Sequence, residues 1–488
     1  EMCIRDRVIA LFIGKFTFSY LAPDISEDIN SKGEVTASGD TIVFNNGKAL
    51  TLSATTDNFT TGGTNLTSTT NPTAKLVASS KTNKADATYY VGVYIKNNTY
   101  TYSTTAKTPE VLLTIKDEKG SNVTSVDGLT YTTSGGVSGF DVTDKTGLFN
   151  IKTDYPIATT SSTTGTTHTW TFTLTFVNLS TDQSINENAN MNIDVYLQKK
   201  AFPSTVADVC SGGETLASCV TTLSQKSISQ ATNIYHHDST LANGAGDNSY
   251  RYSGVNPNNY VCFGSNVTPC PADNLYRIIG VFDNKVGENQ TEQRVKLIKS
   301  TSVGKMKWDS NGSNTWSTSS LNTYLNNDFL NAFDETTKGK IADTTWKVGG
   351  FSSSGQTAQT AQTVYQNEIV SPVTTNTTDN ATTYSAKIGL MYASDYGFAA
   401  AQSAWTANLN TYNGEAIKNV NWMYMGLVEW TISRNANGVS AVCDVLNAGG
   451  LYRSLALNAY AVRPVFYLSS SVNYASGSGS ATDPIMVN

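Results

Sequence analysis

Tyr276-Arg277-Ile278-Ile279-Gly280-Val281-Phe282 and Val462-Arg463-Pro464-Val465-Phe466-Tyr467-Leu468 bracket the stretch whose reading decides the fold. Both runs are apolar and rich in β-branched and aromatic residues, so each reads as a buried strand, and the two are expected to pair. Between them, Ser319 to Phe333 sets Leu321, Tyr324, Leu325, Phe329 and Phe333 along one helical stripe. Ser319 or Ser320 supplies the N-cap, because a short hydroxyl side chain can accept from a first-turn N–H that has no helical partner. Strand, helix and strand together make residues 276–488 an α+β domain.

Upstream the pattern changes. From Thr41 to Lys200 short Thr- and Val-rich runs alternate between Gly, Asn and Ser turns, which predicts an all-β, Ig-like sandwich over 31–202. Trp170, Phe172, Leu174 and Phe176 fall on one face of a strand. Asn45-Asn46-Gly47 is expected to close a hairpin between Thr41–Phe44 and Ala49–Ser53. Two Thr-, Ser- and Asn-rich stretches, Ala158–Thr167 and Ser371–Ala381, read as surface loops. A boundary is placed near Pro203, with residues 203–275 as a cysteine-containing connector and an N-terminal subdomain packed on the last domain.

Three motifs carry a family resemblance: Trp316 with the Leu321–Phe333 helix, Lys387-Ile388-Gly389-Leu390-Met391-Tyr392-Ala393-Ser394-Asp395-Tyr396-Gly397, and Arg463 to Leu468. In these, residues 276–488 resemble a bacterial surface-protein domain, domain of unknown function 6273. The resemblance implies something like the C-type-lectin and formylglycine-generating-enzyme architecture. There, terminal strands meet and long loops carry the binding surface. It implies no reaction.

Composition sets outer bounds. At 488 residues the chain is expected to hold two or three cores. Only 15% of residues are charged, against about 25% in ordinary soluble proteins, which suits a neutral polar extracellular surface. A net charge of −6 offers no basic field for a phosphate backbone, so nucleic acid is excluded as a partner. Cys210 with Cys219 and Cys262 with Cys270 enclose short loops and are expected to form disulfides. Val8–Gly14 is an apolar run behind Arg5 and Arg7, too short to span a membrane but compatible with a signal or N-terminal anchor over 1–30. The leading Glu1–Arg7 resembles an artefactual prefix.

Few residues invite chemistry. His236-His237-Asp238 cannot easily chelate one ion, since neighbours on an extended chain point to opposite sides, and the trio reads as a solvated loop. His168 reads as surface decoration. Cys443 has Asp444 beside it but no base in sequence, so an inert buried thiol is favoured over a nucleophile. Asp309 and Asn311 gather oxygens as calcium sites do, but the EF-hand spacing fails and Asx turns use the same residues. Aromatics are plentiful between Gly397 and Ala461, with Trp422 and Trp430 expected in the core. Tyr452, Arg453, Trp405 and Arg434 are expected on a ligand-binding surface, since amphipathic rings and planar donors suit sugars or a protein partner. No cofactor and no enzymatic activity are expected. The chain thus reads as an exported bacterial cell-surface protein, secreted or N-terminally anchored, that adheres to a glycan or protein. The alternatives are a structural subunit of a surface fibre and an enzyme of the formylglycine-generating type.

Overall fold

The computed structural model describes residues 33–36, 41–55, 59, 63–78, 85–159, 165–226, 233–286, 290–350, 358–372, 382–436 and 438–488. Two compact units divide the chain, Glu1–Ala201 and Phe202–Asn488. The secondary structure is 40% strand and 16% helix, in mostly antiparallel sheets. The expected signal or anchor segment 1–30 lies outside the described residues. Among those described, no helix is long and apolar enough to cross a membrane.

In the first unit a four-stranded sheet runs Gly147–Thr159, Ala85–Asn98, Asn190–Gln198, Leu50–Ser53, and a five-stranded sheet runs Leu66–Thr70, Thr171–Phe176, Val111–Lys116, Val137–Asp141, Thr130–Ser134. Their inward faces share one core, in which Trp170, Phe172, Leu174 and Phe176 are all fully buried. A third sheet of Gly33–Thr36, Thr41–Asn45, Thr73–Val77 and Thr166–Thr169 continues the second layer past a break at Pro72 and Trp170. The hairpin expected at Asn45-Asn46-Gly47 does not form. Thr41–Asn45 pairs with Thr73–Val77, whereas Leu50–Ser53 pairs with Asn190–Gln198, so this turn moves the chain from one sheet to another. The Asn46 side chain accepts from Leu197 N–H at 2.8 Å, a tertiary use of a residue that a hairpin would leave in solvent. His168 is not decoration either: its Nδ1 lies 3.0 Å from the hydroxyl of buried Tyr89, which also accepts from Trp170 Nε1 at 2.8 Å.

The second unit is built on one large sheet in the order Ile388–Gly389, Val465–Tyr467, Thr291–Lys299, Leu275–Lys285, Tyr260–Cys262, Ile485–Val487, Tyr474–Ser476. The two runs that flag this domain therefore share a sheet without pairing, because Thr291–Lys299 lies between them. Residues 203–275 belong to this same unit. Tyr260–Cys262 and Ser249–Tyr252 share one edge of Leu275–Lys285, and Ile234–His237 extends the latter pair. A bulge between Ile278 and Gly280 separates the two partners. Gly280 is required there, since a Cβ would stand 2.3 Å from the Tyr250 carbonyl oxygen. Cys210–Cys219 and Cys262–Cys270 are both disulfide-bonded.

A second sheet of Lys305–Lys307, Ala459–Ala461, Glu429–Arg434, Ala441–Val445 and Leu451–Leu455, and a ribbon of Thr344–Lys347 with Thr383–Ala386, complete the strands described in this unit. Ser319 caps the helix Ser320–Tyr324 by accepting from Asn322 N–H at 3.1 Å. The helix then widens into a π turn over Leu325–Phe329. That extra residue per turn rotates the stripe, so Leu325 is fully buried while Phe329 is only half-buried. Leu325→Ala is expected to cost about 3–4 kcal/mol, and Phe329→Ala only about 1–2 because its ring is only partly buried. Urea denaturation of the two variants measures this, and equal losses would mean that the ring is buried in solution.

Candidate functional site

A short helix, Ala393–Phe398, is buried at all six of its positions. Its first N–H groups have no helical acceptors and no water, so side chains must supply them. Tyr392 N–H donates to Asp395 Oδ2 at 2.9 Å, Ala393 N–H to Ser433 Oγ at 3.1 Å, and Ser394 N–H to Glu368 Oε1 at 2.8 Å. Two carboxyl groups are thereby drawn into the interior.

Asp395 is matched by two cations from the central sheet. Lys296 Nζ lies 2.5 Å from its Oδ2 and Arg251 Nη1 3.3 Å from its Oδ1. Arg251 turns its other nitrogens to Asp247, at 2.5 Å, and to Ser249 Oγ, at 2.8 Å. Rings line the cations: Tyr392 stands 4.4 Å from the Lys296 ammonium, and Phe282 4.6 Å from the Arg251 guanidinium. Burial lowers the pKa of Lys296 below the ordinary lysine value, with Asp395 opposing the shift. Burial works equally against a charged Asp247, yet Arg251 and Ser249 outweigh it and hold this carboxyl down at about 2.

Among the described residues Glu368 makes no ion pair. It sits in a second π turn, Gln366–Val370, where it accepts from the Ser394 N–H and the Ser433 hydroxyl. Burial pushes its carboxyl up to about 7, and those donors only partly compensate.

The network forms the floor of an open cavity of about 410 Å³. Edges of Phe282, Tyr365, Tyr392 and Tyr467 make its walls, and Thr345 and Lys347 of the ribbon border it. Gly389 allows one wall to close: a Cβ there would lie 2.8 Å from the Trp346 ring, which stands behind Tyr392 and Tyr467.

The four residues expected to bind ligand are not brought together. Tyr452 and Arg453 are exposed on Leu451–Leu455, the outer strand of the second sheet. Trp405 is wholly buried, with Nε1 donating to Ala400 O at 3.0 Å and its ring against Phe398 and His237. Arg434 is buried as well, its Nε donating to Val348 O at 3.0 Å. Aromatic and arginine content alone does not separate a wall from a surface. Trp422 and Trp430 are core residues, as expected.

Both oxygens of Asp309 are engaged by the backbone. Its carboxylate accepts from the N–H groups of Asn311, Ser313 and Ser320 at 3.2, 2.9 and 3.1 Å, which makes an Asx-type turn. His236 and His237 do point apart, but on a strand and not in a solvated loop. His236 stacks on Tyr250 at 4.3 Å, and fully buried His237 accepts from Ala245 N–H at 3.0 Å. Cys443 lies outside both disulfides, and burial pushes its thiol well above the ordinary range, opposite to what a nucleophile needs.

Sequence reading missed Arg251, Lys296, Glu368 and Asp395, since isolated charges ordinarily mark a surface. One signal was present. In Leu390-Met391-Tyr392-Ala393-Ser394-Asp395-Tyr396-Gly397-Phe398-Ala399-Ala400 a lone acid sits in an apolar run, and a buried acid demands a cation.

The motifs converge on this region: Ile388–Gly389 pairs with Val465–Tyr467, and Asn326 of the capped helix exchanges bonds of 3.0 Å with both backbone groups of Ile388. Arg463 is structural, forked onto buried Glu429 at 2.5 and 2.8 Å. Residues 292–470 match the family model of a domain of unknown function, DUF6273, the family that these motifs resemble. No curated protein and no solved structure matches the chain. Lys296, Glu368, Asp395 and Tyr467 lie inside the matched span and Arg251 outside it.

Glu368 yields a test of the buried network. Its pKa rises from the unfolded value of 4.5 to about 7 on folding, so the native state holds the extra proton between these limits and loses stability as pH rises through them. Glu368→Gln, which mimics the protonated acid, is expected to stabilise the protein by about 2–3 kcal/mol near pH 8 and by little near pH 5. Denaturation midpoints at both pH values measure this, and a pH-independent effect would place the carboxyl in contact with water.

Proposed function

We propose that this is an exported bacterial surface protein whose second unit binds a saccharide in the cavity above Asp395, with the Ig-like sandwich as spacer. The observation that carries the reading is the cavity itself, in which aromatic edges stand beside charges already held in place. A sugar ring offers an apolar C–H face and a rim of hydroxyls. The edges of Tyr365 and Tyr467 can pack against the one, and their hydroxyls can bond to the other. Because Arg251, Lys296, Asp247 and Asp395 fix one another, little ordering cost remains for the ligand to meet. A volume of about 410 Å³ lies within the usual range of small-ligand sites. Tyr260–Cys262 pairs in parallel with Ile485–Val487, but the two runs whose adjacency would favour a lectin-like reading are separated by Thr291–Lys299, so we place the binding surface at the cavity and not on the late loops.

A glycan array followed by calorimetry tests this. Tyr365→Ala and Tyr467→Ala are expected to weaken binding at least about tenfold, while Tyr452→Ala with Arg453→Ala leaves it unchanged. The reverse result would move the binding surface to the outer strand.

A second reading, the fibre subunit, rests on that outer strand. Leu451–Leu455 pairs on one side only, and Tyr452 and Leu455 are 53% and 55% exposed. Such an edge can add a strand from a neighbouring copy. Sedimentation velocity over a concentration series is then expected to show assembly that Leu455→Lys abolishes; a monomer at every concentration removes this reading.

A further inference from the structure

We infer that the saccharide taken by this cavity is an acidic one, a uronic acid or a sugar of similar form, whose ring rests on the tyrosines while its carboxylate meets lysines at the mouth. The inference rests on the reading of the cavity as the binding site and adds the charge of its ligand.

Five cationic side chains line the cavity against three carboxylates, although the chain as a whole carries a net charge of −6. The excess is therefore local. On the floor it cancels, because Arg251 and Lys296 are matched by Asp247 and Asp395. What remains lies higher up, on Lys285, Lys347 and Arg294 against Asp283. Arg294 is committed to Glu292, at 3.1 Å, and to the Asp343 carbonyl, at 2.8 Å. Asp283 accepts from Asn248 at 3.4 Å. Lys285 and Lys347 are exposed, and their ammonium groups make no ion pair among the described residues. They come from different elements, the central strand Leu275–Lys285 and the ribbon strand Thr344–Lys347, and both line the cavity.

A neutral sugar gains only hydrogen bonds from an ammonium group, whereas a carboxylate gains the charge attraction as well. An exposed ion pair is weak and salt-sensitive, so each lysine adds a few-fold in affinity and not orders of magnitude. Specificity for the ring stays with the aromatic walls, and preference for the acid lies with the mouth.

The test is calorimetry on the whole chain with glucuronate, galacturonate and mannuronate, their neutral parents glucose, galactose and mannose, and acetate, each at low and high sodium chloride. At least one uronate is expected to bind about tenfold more tightly than its parent. That contrast is expected to shrink with salt and to vanish in the Lys285→Gln, Lys347→Gln double variant, whose changes are exposed and spare the fold. Equal binding of acid and parent overturns the inference while leaving the saccharide reading intact. Acetate binding as tightly as the uronates overturns the part played by the ring. Failure of all six sugars to bind, in protein that still unfolds cooperatively, overturns the underlying reading as well.

Discussion

The second unit depends on the meeting of Asp395 with Lys296 and Arg251. A six-residue helix wholly inside a protein is an expensive element, since its leading N–H groups would otherwise be stranded without acceptors. Acidic side chains solve that problem and create another, because a carboxylate away from water is worse than an unpaired amide. Two cations from strands on either side of Leu275–Lys285 solve the second problem, and Arg251 then brings in Asp247. Removing any one partner leaves a charge uncompensated, at a cost of roughly 3–5 kcal/mol. Sheet, helix and cavity floor therefore form one electrostatic unit.

This coupling explains the contrast between the two buried acids. Asp395 faces two cations and completes an ion network, whereas Glu368 faces only neutral donors. One wall of the helix thus rests on charge and the other on a carboxyl that is readily protonated. Both contacts come from segments distant in sequence, so the helix has no existence apart from the domain around it.

Much of the fold was legible because alternation reports burial directly. Phe172, Leu174 and Phe176 face inward as their spacing requires, and Ser319 caps the helix that its position announces. The site was hardly legible at all, for a related physical reason. Thr291-Glu292-Gln293-Arg294-Val295-Lys296-Leu297-Ile298-Lys299 is a central strand, yet its charges spoil the apolar pattern that would mark it as one. Arg294 and Lys296 line the cavity, so the residues that shape it are the ones that hide the element. Pairing was lost too: a strand pattern names its faces but not its neighbours, which is how Asn45-Asn46-Gly47 passed for a hairpin.

Val261 aligned with Ile485 has a kinetic meaning. A parallel bridge between residues so far apart in sequence carries a large loop-closure entropy, and contacts of this kind slow folding. During synthesis the sheet of the second unit cannot be completed until the strand Ile485–Val487 has emerged, while every strand of the sandwich precedes the unit altogether. The unit carrying the cavity is consequently the later to mature, and its central sheet waits, open on one edge, for Ile485–Val487.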